Sequence, residues 1–130
     1  MKLVALAFSA VSISAQAASP AELGPVLQVK IATYLNCLKA TDGQLRTSKV
    51  TPERYEMAME GACLAQYDAA TKEMKAHLEA IPHPGVSYDD AQSITANTMS
   101  SIQSSDYRLR KQNVSAYVLW FSSAERSKGK

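Results

Sequence analysis

Two cysteines, Cys37 and Cys63, do most to narrow what this 130-residue chain can fold into. If they pair, they close the whole stretch between them into a loop, and whatever elements carry them must lie side by side. A two-cysteine chain allows one intramolecular connectivity, so no alternative framework competes. A redox-active pair would want Cys-x-x-Cys or an activated thiolate, and zinc would want more ligands at close spacing. Neither pattern is present. A structural disulfide is the reading, provided the chain reaches an oxidising compartment.

The N-terminus supplies that condition. Lys2 is a short positive region, residues 3–13 are mostly apolar, and Ala15-Gln16-Ala17 has the small-x-small form that signal peptidase cleaves. Residues 1–17 therefore read as an export signal, leaving a mature domain of residues 18–130. No cysteine follows the cleavage site to carry a lipid anchor. So short a signal points to the periplasm of a Gram-negative bacterium, or otherwise to secretion. A mature chain of this size buries only a modest core and gains from a covalent staple.

Caps and periodicity then place helices. Ser19-Pro20-Ala21-Glu22 has the form of a capping box, but Pro25 would interrupt a helix begun there. The first helix is thus either one short turn before Gly24 or a helix beginning near Pro25. Leu27, Ile31, Leu35 and Leu38 form its apolar stripe, and Cys37 falls near its end, before Thr41-Asp42-Gly43-Gln44. Thr51 and Pro52 open a second helix that the stripe Met59, Cys63, Tyr67, Ala70, Met74 and Leu78 carries to about Ala80. Pro84-Gly85 suits the centre of a type II turn. Ser87 with Asp89 and Asp90 opens a third helix, which the serines at 100, 101, 104 and 105 weaken. A break near Ser104 would create a fourth. Residues 114–121 are rich in strand-forming types, but no second strand is available to pair with them. The expected fold is all-α: a three- or four-helix bundle with a disulfide-stapled N-terminal hairpin and a frayed basic tail from about 124 to 130.

Motifs for chemistry are sparse. Glu73 and His77 share a helix face, and His83 in the following turn could approach it, a weak metal-ligand set with no His-x-x-x-His spacing. No activated serine, phosphate-binding glycine loop or nucleotide fingerprint occurs, and no cofactor is implied. Export removes nucleic acid as a partner.

Two features concern surfaces. Across residues 108–130, Arg108, Arg110, Lys111, Arg126, Lys128 and Lys130 stand against Glu125 alone, a net +5. That is either a basic face for an anionic partner or cations gathered at a helix C-terminus. Tyr117, Trp120 and Phe121 crowd together beside Val114, Val118 and Leu119. Either Tyr117 and Phe121 face the core with Trp120 covering its edge, or, because so wide an apolar band exceeds what one small core can take, part of it is a docking patch or dimer seam. The candidate interaction surface is therefore Arg108, Arg110, Lys111, Tyr117, Trp120 and Phe121.

In outline the chain is similar to bacterial periplasmic acid chaperones and to immunity proteins against secreted cell-wall hydrolases. The likeness is one of size and compartment, and carries no functional residues. The leading expectation is a non-enzymatic exported binding protein, such as an immunity protein, an inhibitor or an envelope-complex subunit, that offers its last helix to a protein partner or to itself. A stress chaperone that exposes apolar surface is the alternative. An enzyme with a site invisible in sequence comes third.

Overall fold

A computed structural model describes residues 24–129. Residues 1–17, expected to be an export signal, and the capping-box motif at 19–22 lie outside the described residues, as does Lys130. Within them the chain is helical, with no strand: α1 (Pro25–Ser48), α2 (Pro52–Gly61), α3 (Leu64–Glu79) and α4 (Tyr88–Lys128). The four helices make three arms, since α2 and α3 follow one another along a single broken arm.

Each arm starts and stops for a local reason. Gly24, at φ 72, turns the chain into α1, and Pro25 takes the first position, where its missing N–H costs nothing. The polar stretch at 41–44 does not end α1, contrary to expectation. Thr41 Oγ1 donates to the Cys37 carbonyl at 2.9 Å, and Arg46 Nε meets Asp42 at 3.0 Å, one helical turn away. Side chains that compete with the helix elsewhere here brace it. Lys49, at φ 50, then closes the helix in a left-handed cap. Thr51 Oγ1 accepts the N–H of Arg54 at 3.3 Å. That bond starts α2.

The second arm is not one helix to Ala80, as the apolar stripe predicts. It breaks at Ala62 (φ −71, ψ 139) and Cys63 (φ 60, ψ 30). Cys63 thus occupies the left-handed region, which costs a residue with a Cβ roughly 1–2 kcal/mol. After α3 the chain turns over Pro84-Gly85, where the Val86 N–H returns to the His83 carbonyl at 3.1 Å and Gly85 sits at φ 77. This is the expected turn. Ser87 Oγ accepts the N–H of Asp90 at 3.1 Å and starts α4.

The final helix is unbroken from Tyr88 to Lys128. At a rise of about 1.5 Å per residue it is the longest arm of the molecule. The serine cluster does not interrupt it. Ser101 bonds back to the Asn97 carbonyl at 3.1 Å, and the other three serines lie along a helix held by packing on either side. The tail expected to fray from 124 is helical to Lys128.

Contacts fix the directions. Cys37 and Cys63 are bonded with Cα atoms 6.0 Å apart, and Lys30 meets Glu73 at 3.7 Å, so α1 runs antiparallel to the broken arm. Lys111 meets Glu56 at 2.7 Å, and Tyr34 bonds Asp106, so α4 runs back along both, parallel to α1. The result is an up-down-up bundle stapled in its first hairpin.

The core has two floors. The lower one packs Leu27, Met74, Leu78 and Ile102; the upper one packs Tyr34, Leu38, Tyr55, Met59, Leu109 and Tyr117. Full burial of a large apolar side chain contributes about 1.5–3 kcal/mol. The three tyrosines are wholly buried, and each hydroxyl must find an acceptor. Tyr34 of α1 donates to Asp106 of α4. Tyr55 of α2 donates to Asp42 of α1 at 2.6 Å, and Tyr117 of α4 donates to the Val50 carbonyl at 2.6 Å. Each hydroxyl therefore ties one arm to another segment of the chain.

Candidate functional site

The break in the second arm and the face of α4 opposite it make the most developed polar site among the described residues. A helix that stops at Gly61 leaves backbone carbonyls without donors. Arg110, one turn after Asp106 on α4, supplies them. Its Nη1 donates to the Met59 and Ala62 carbonyls at 2.6 and 2.7 Å, its Nη2 to the Tyr34 hydroxyl at 3.0 Å, and its Nε to Asp106 at 3.0 Å. The guanidinium is buried, with all three of its nitrogens engaged. Burial, then the hydrogen bond to the Asp106 carboxylate, pushes the Tyr34 hydroxyl well above the ordinary phenol range. Tyr67 rises for the same first reason, burial, followed by the nearby Asp106 charge.

Above this network lies a cleft of about 230 Å³. Met59 and Glu60 line it from one side of the break, Leu64 and Tyr67 from the other, and Tyr107 and Val114 from α4. Lys111 stands on the rim, reaching Glu56 at 2.7 Å and Glu60 at 3.6 Å, with its ammonium 5.6 Å from the Tyr107 ring. The hydrogen bond to Glu56 raises its pKa. A cleft this size falls below the usual range for drug-sized ligands and matches one apolar side chain or a small apolar group. Its floor is polar but fully engaged. Asp106, the carboxylate beneath, already accepts from Tyr34 and Arg110. The chemistry available to the cleft is apolar binding framed by one ion pair.

Of the residues singled out from sequence, Arg110 and Tyr117 are core and not surface. Arg110 is spent on the network just described. Tyr117 stacks on Tyr55 with ring centres 3.9 Å apart. Trp120 and Phe121 are half-buried, closing the upper floor around Tyr117, and the Arg46 guanidinium lies 5.1 Å over the Trp120 ring. Arg108 is exposed and Lys111 partly so. The net +5 of the C-terminal segment is therefore no continuous basic face: Arg110 pairs with Asp106, Lys111 with Glu56 and Glu60, and Lys128 with Glu125. Glu73 pairs with Lys30, and among the described residues no group of three or more His, Cys, Asp or Glu is placed to hold a metal ion. The Glu73, His77 and His83 set does not assemble.

Leu64, Tyr107, Asp106 and Tyr34 are site residues that motif reading does not single out. One signal marks the buried pair. Asp106 and Arg110 fall on the same stripe as Ile102, Leu109 and Tyr117, where a charged side chain must find a partner inside.

The structure thus defines a small, disulfide-stapled all-α bundle with an apolar cleft over a locked polar floor. Comparison with known protein families, with curated proteins and with solved structures finds no match for the chain. Among the described residues no helix is long and apolar enough to cross a membrane.

Proposed function

We propose that this chain is an exported, non-enzymatic helical binding protein that presents α4 to a protein partner, with the cleft as the pocket for an apolar anchor. One observation carries the reading. Leu64 and Tyr107, on opposite lips of the cleft, are 52% and 63% exposed although both are large and apolar. Aromatic side chains beside a well-formed pocket are the usual makings of an interface hot spot. Val118 and Leu119 extend the same helix with further exposed apolar surface. The Lys111–Glu60 pair gives the rim a polarity that would set a partner's register. The export signal and the disulfide support a periplasmic setting, where an immunity protein, an inhibitor or an envelope-complex subunit would act.

The test is capture from a periplasmic extract by immobilised wild-type protein, alongside Tyr107→Asp, Leu64→Asp and the distant surface variant Val29→Asp. A partner retained by wild type and Val29→Asp but lost from the two cleft variants supports the proposal. Equal retention by all four removes the cleft from the interface.

A further inference from the structure

The break between α2 and α3 has little cause in its own residues. Glu60-Gly61-Ala62-Cys63-Leu64 contains no proline, Gly61 and Cys63 are its weak helix formers while Glu60, Ala62 and Leu64 are strong ones, and the apolar spacing runs through it unbroken. Yet Ala62 is extended and Cys63 is left-handed. Two tethers from outside the arm act on these residues. The first is the disulfide from Cys37 on α1. The second is Arg110, whose Nη1 holds the Met59 and Ala62 carbonyls. In a continuous helix the Met59 carbonyl would instead take the N–H of Cys63. Both cysteines are half-buried.

From these relations we infer that the Cys37–Cys63 bond is a redox-operated latch on a hinge. With the bond closed the second arm is broken at 62–63. When a dithiol donor opens it, Cys63 can leave the left-handed region and the arm relaxes into one helix from Pro52 to Glu79. Backbone N–H groups then take over the Met59 and Ala62 carbonyls. Arg110, which borders the cleft, turns its Nη1 to cleft water while its Nε and Nη2 keep Asp106 and Tyr34. In the exchange, two electrons and two protons pass from the dithiol to the disulfide. Cys37 and Cys63 become thiols, and the donor's two sulfurs bond to one another. The movement matters because the cleft straddles the hinge, with Met59 and Glu60 before it and Leu64 and Tyr67 after it. Straightening the arm re-spaces one whole wall, so the cleft has a different shape in each redox state. The latch is a property of the backbone and holds whether or not the cleft is the docking site.

The experiment is NMR on isotopically labelled protein before and after reduction with dithiothreitol. Its readouts are the Ala62 Cα shift and the sequential amide contacts across positions 61–65. Reduction is expected to move the Ala62 Cα downfield into the helical range and to make the amide contacts continuous. The double variant Cys37→Ser, Cys63→Ala should show the same helical signature without reductant. Its counterpart Cys37→Ser, Cys63→Gly should keep the break, because glycine takes positive φ freely and Arg110 still holds the Met59 and Ala62 carbonyls. A continuous helix there would show that relief of the left-handed Cys63 is not what drives the straightening, and would count against the latch. An extended Ala62 in both the reduced protein and the Cys63→Ala variant overturns the latch. So does loss of far-UV helix on reduction, since a hinge requires a folded reduced state.

Discussion

The guanidinium of Arg110 ends a helix to which it does not belong: its Nη1 lies 2.7 Å from the carbonyl oxygen of Ala62, 48 positions earlier in the chain. The same nitrogen serves Met59, so one side chain replaces the two donors that a continuing helix would have offered.

Arg110→Met should cost about 3–5 kcal/mol, because it strands Asp106 and two carbonyls in a water-poor site. Urea denaturation reads the loss directly. Adding Asp106→Leu should recover part of it, since the carboxylate left without its cation is then gone. A loss under about 1 kcal/mol for the single variant would mean that water replaces the guanidinium.

Reducing the disulfide removes a loop constraint worth about 3.5 kcal/mol in chain-entropy terms. Relief of the left-handed Cys63 offsets some of that. Denaturation of oxidised and reduced protein should therefore differ by about 1.5–2.5 kcal/mol, with most helix kept before the transition. Labelling of the unreduced native protein should find no thiol.

Alkaline pH should unfold the protein through its tyrosines. Burial, the first cause for each, raises the hydroxyl pKa of Tyr34, Tyr55, Tyr67 and Tyr117 above 10.0. Such a group gives stability that is complete below the unfolded pKa and is lost as pH climbs through the raised folded value, because the unfolded chain releases its proton first. Tyrosinate absorbance from these four residues should appear together with the loss of helix. Their ionisation in a chain that stays fully helical would contradict their burial.

Trp120→Ala tests the aromatic cluster at the hairpin end. The indole packs on Tyr117 with ring centres 5.4 Å apart and lies under Arg46. A fully buried tryptophan would cost about 3–5 kcal/mol, and this half-buried one should cost about 2 kcal/mol. As the chain's single tryptophan, its fluorescence also reports whether a partner reaches this end of α4. A cost at the full buried value would make it plain core.

Much of the architecture is legible in the residues. Thr51-Pro52 and Ser87 mark helix starts because their hydroxyls cap and proline suits the first turn. Leu27, Leu38, Met74 and Leu78 lie on the apolar stripes that the spacing predicts, and the cysteines pair as their count requires. Three things are hidden. The break at Ala62 arises from tethers that begin 26 and 48 positions from the residues they hold, beyond any local pattern. The continuity of α1 past Asp42 and of α4 past Ser104 depends on side chains folding back onto the helix and on packing, whereas the same residue types in isolation favour turns. The site is hard to place for a related reason. Arg110 and Tyr117 look like interface residues by type, and only the tertiary position of Asp106, Tyr34 and Tyr55 shows that they are already engaged.

The hydrogen bond from Tyr34 to Asp106 spans 72 positions, whereas the staple spans 26. Closing the longer loop from an unstructured chain costs about 1 kcal/mol more in entropy. The hairpin of the first two arms can form and oxidise while the last helix is still unattached. Only when that helix zips down does Arg110 arrive to quiet the carbonyls that the break exposes. A chain cut anywhere between Gly85 and Asp106 would keep its covalent bond and lose its bolt. Such a fragment is oxidised yet unfinished, with the apolar face that α4 covers left open to aggregation.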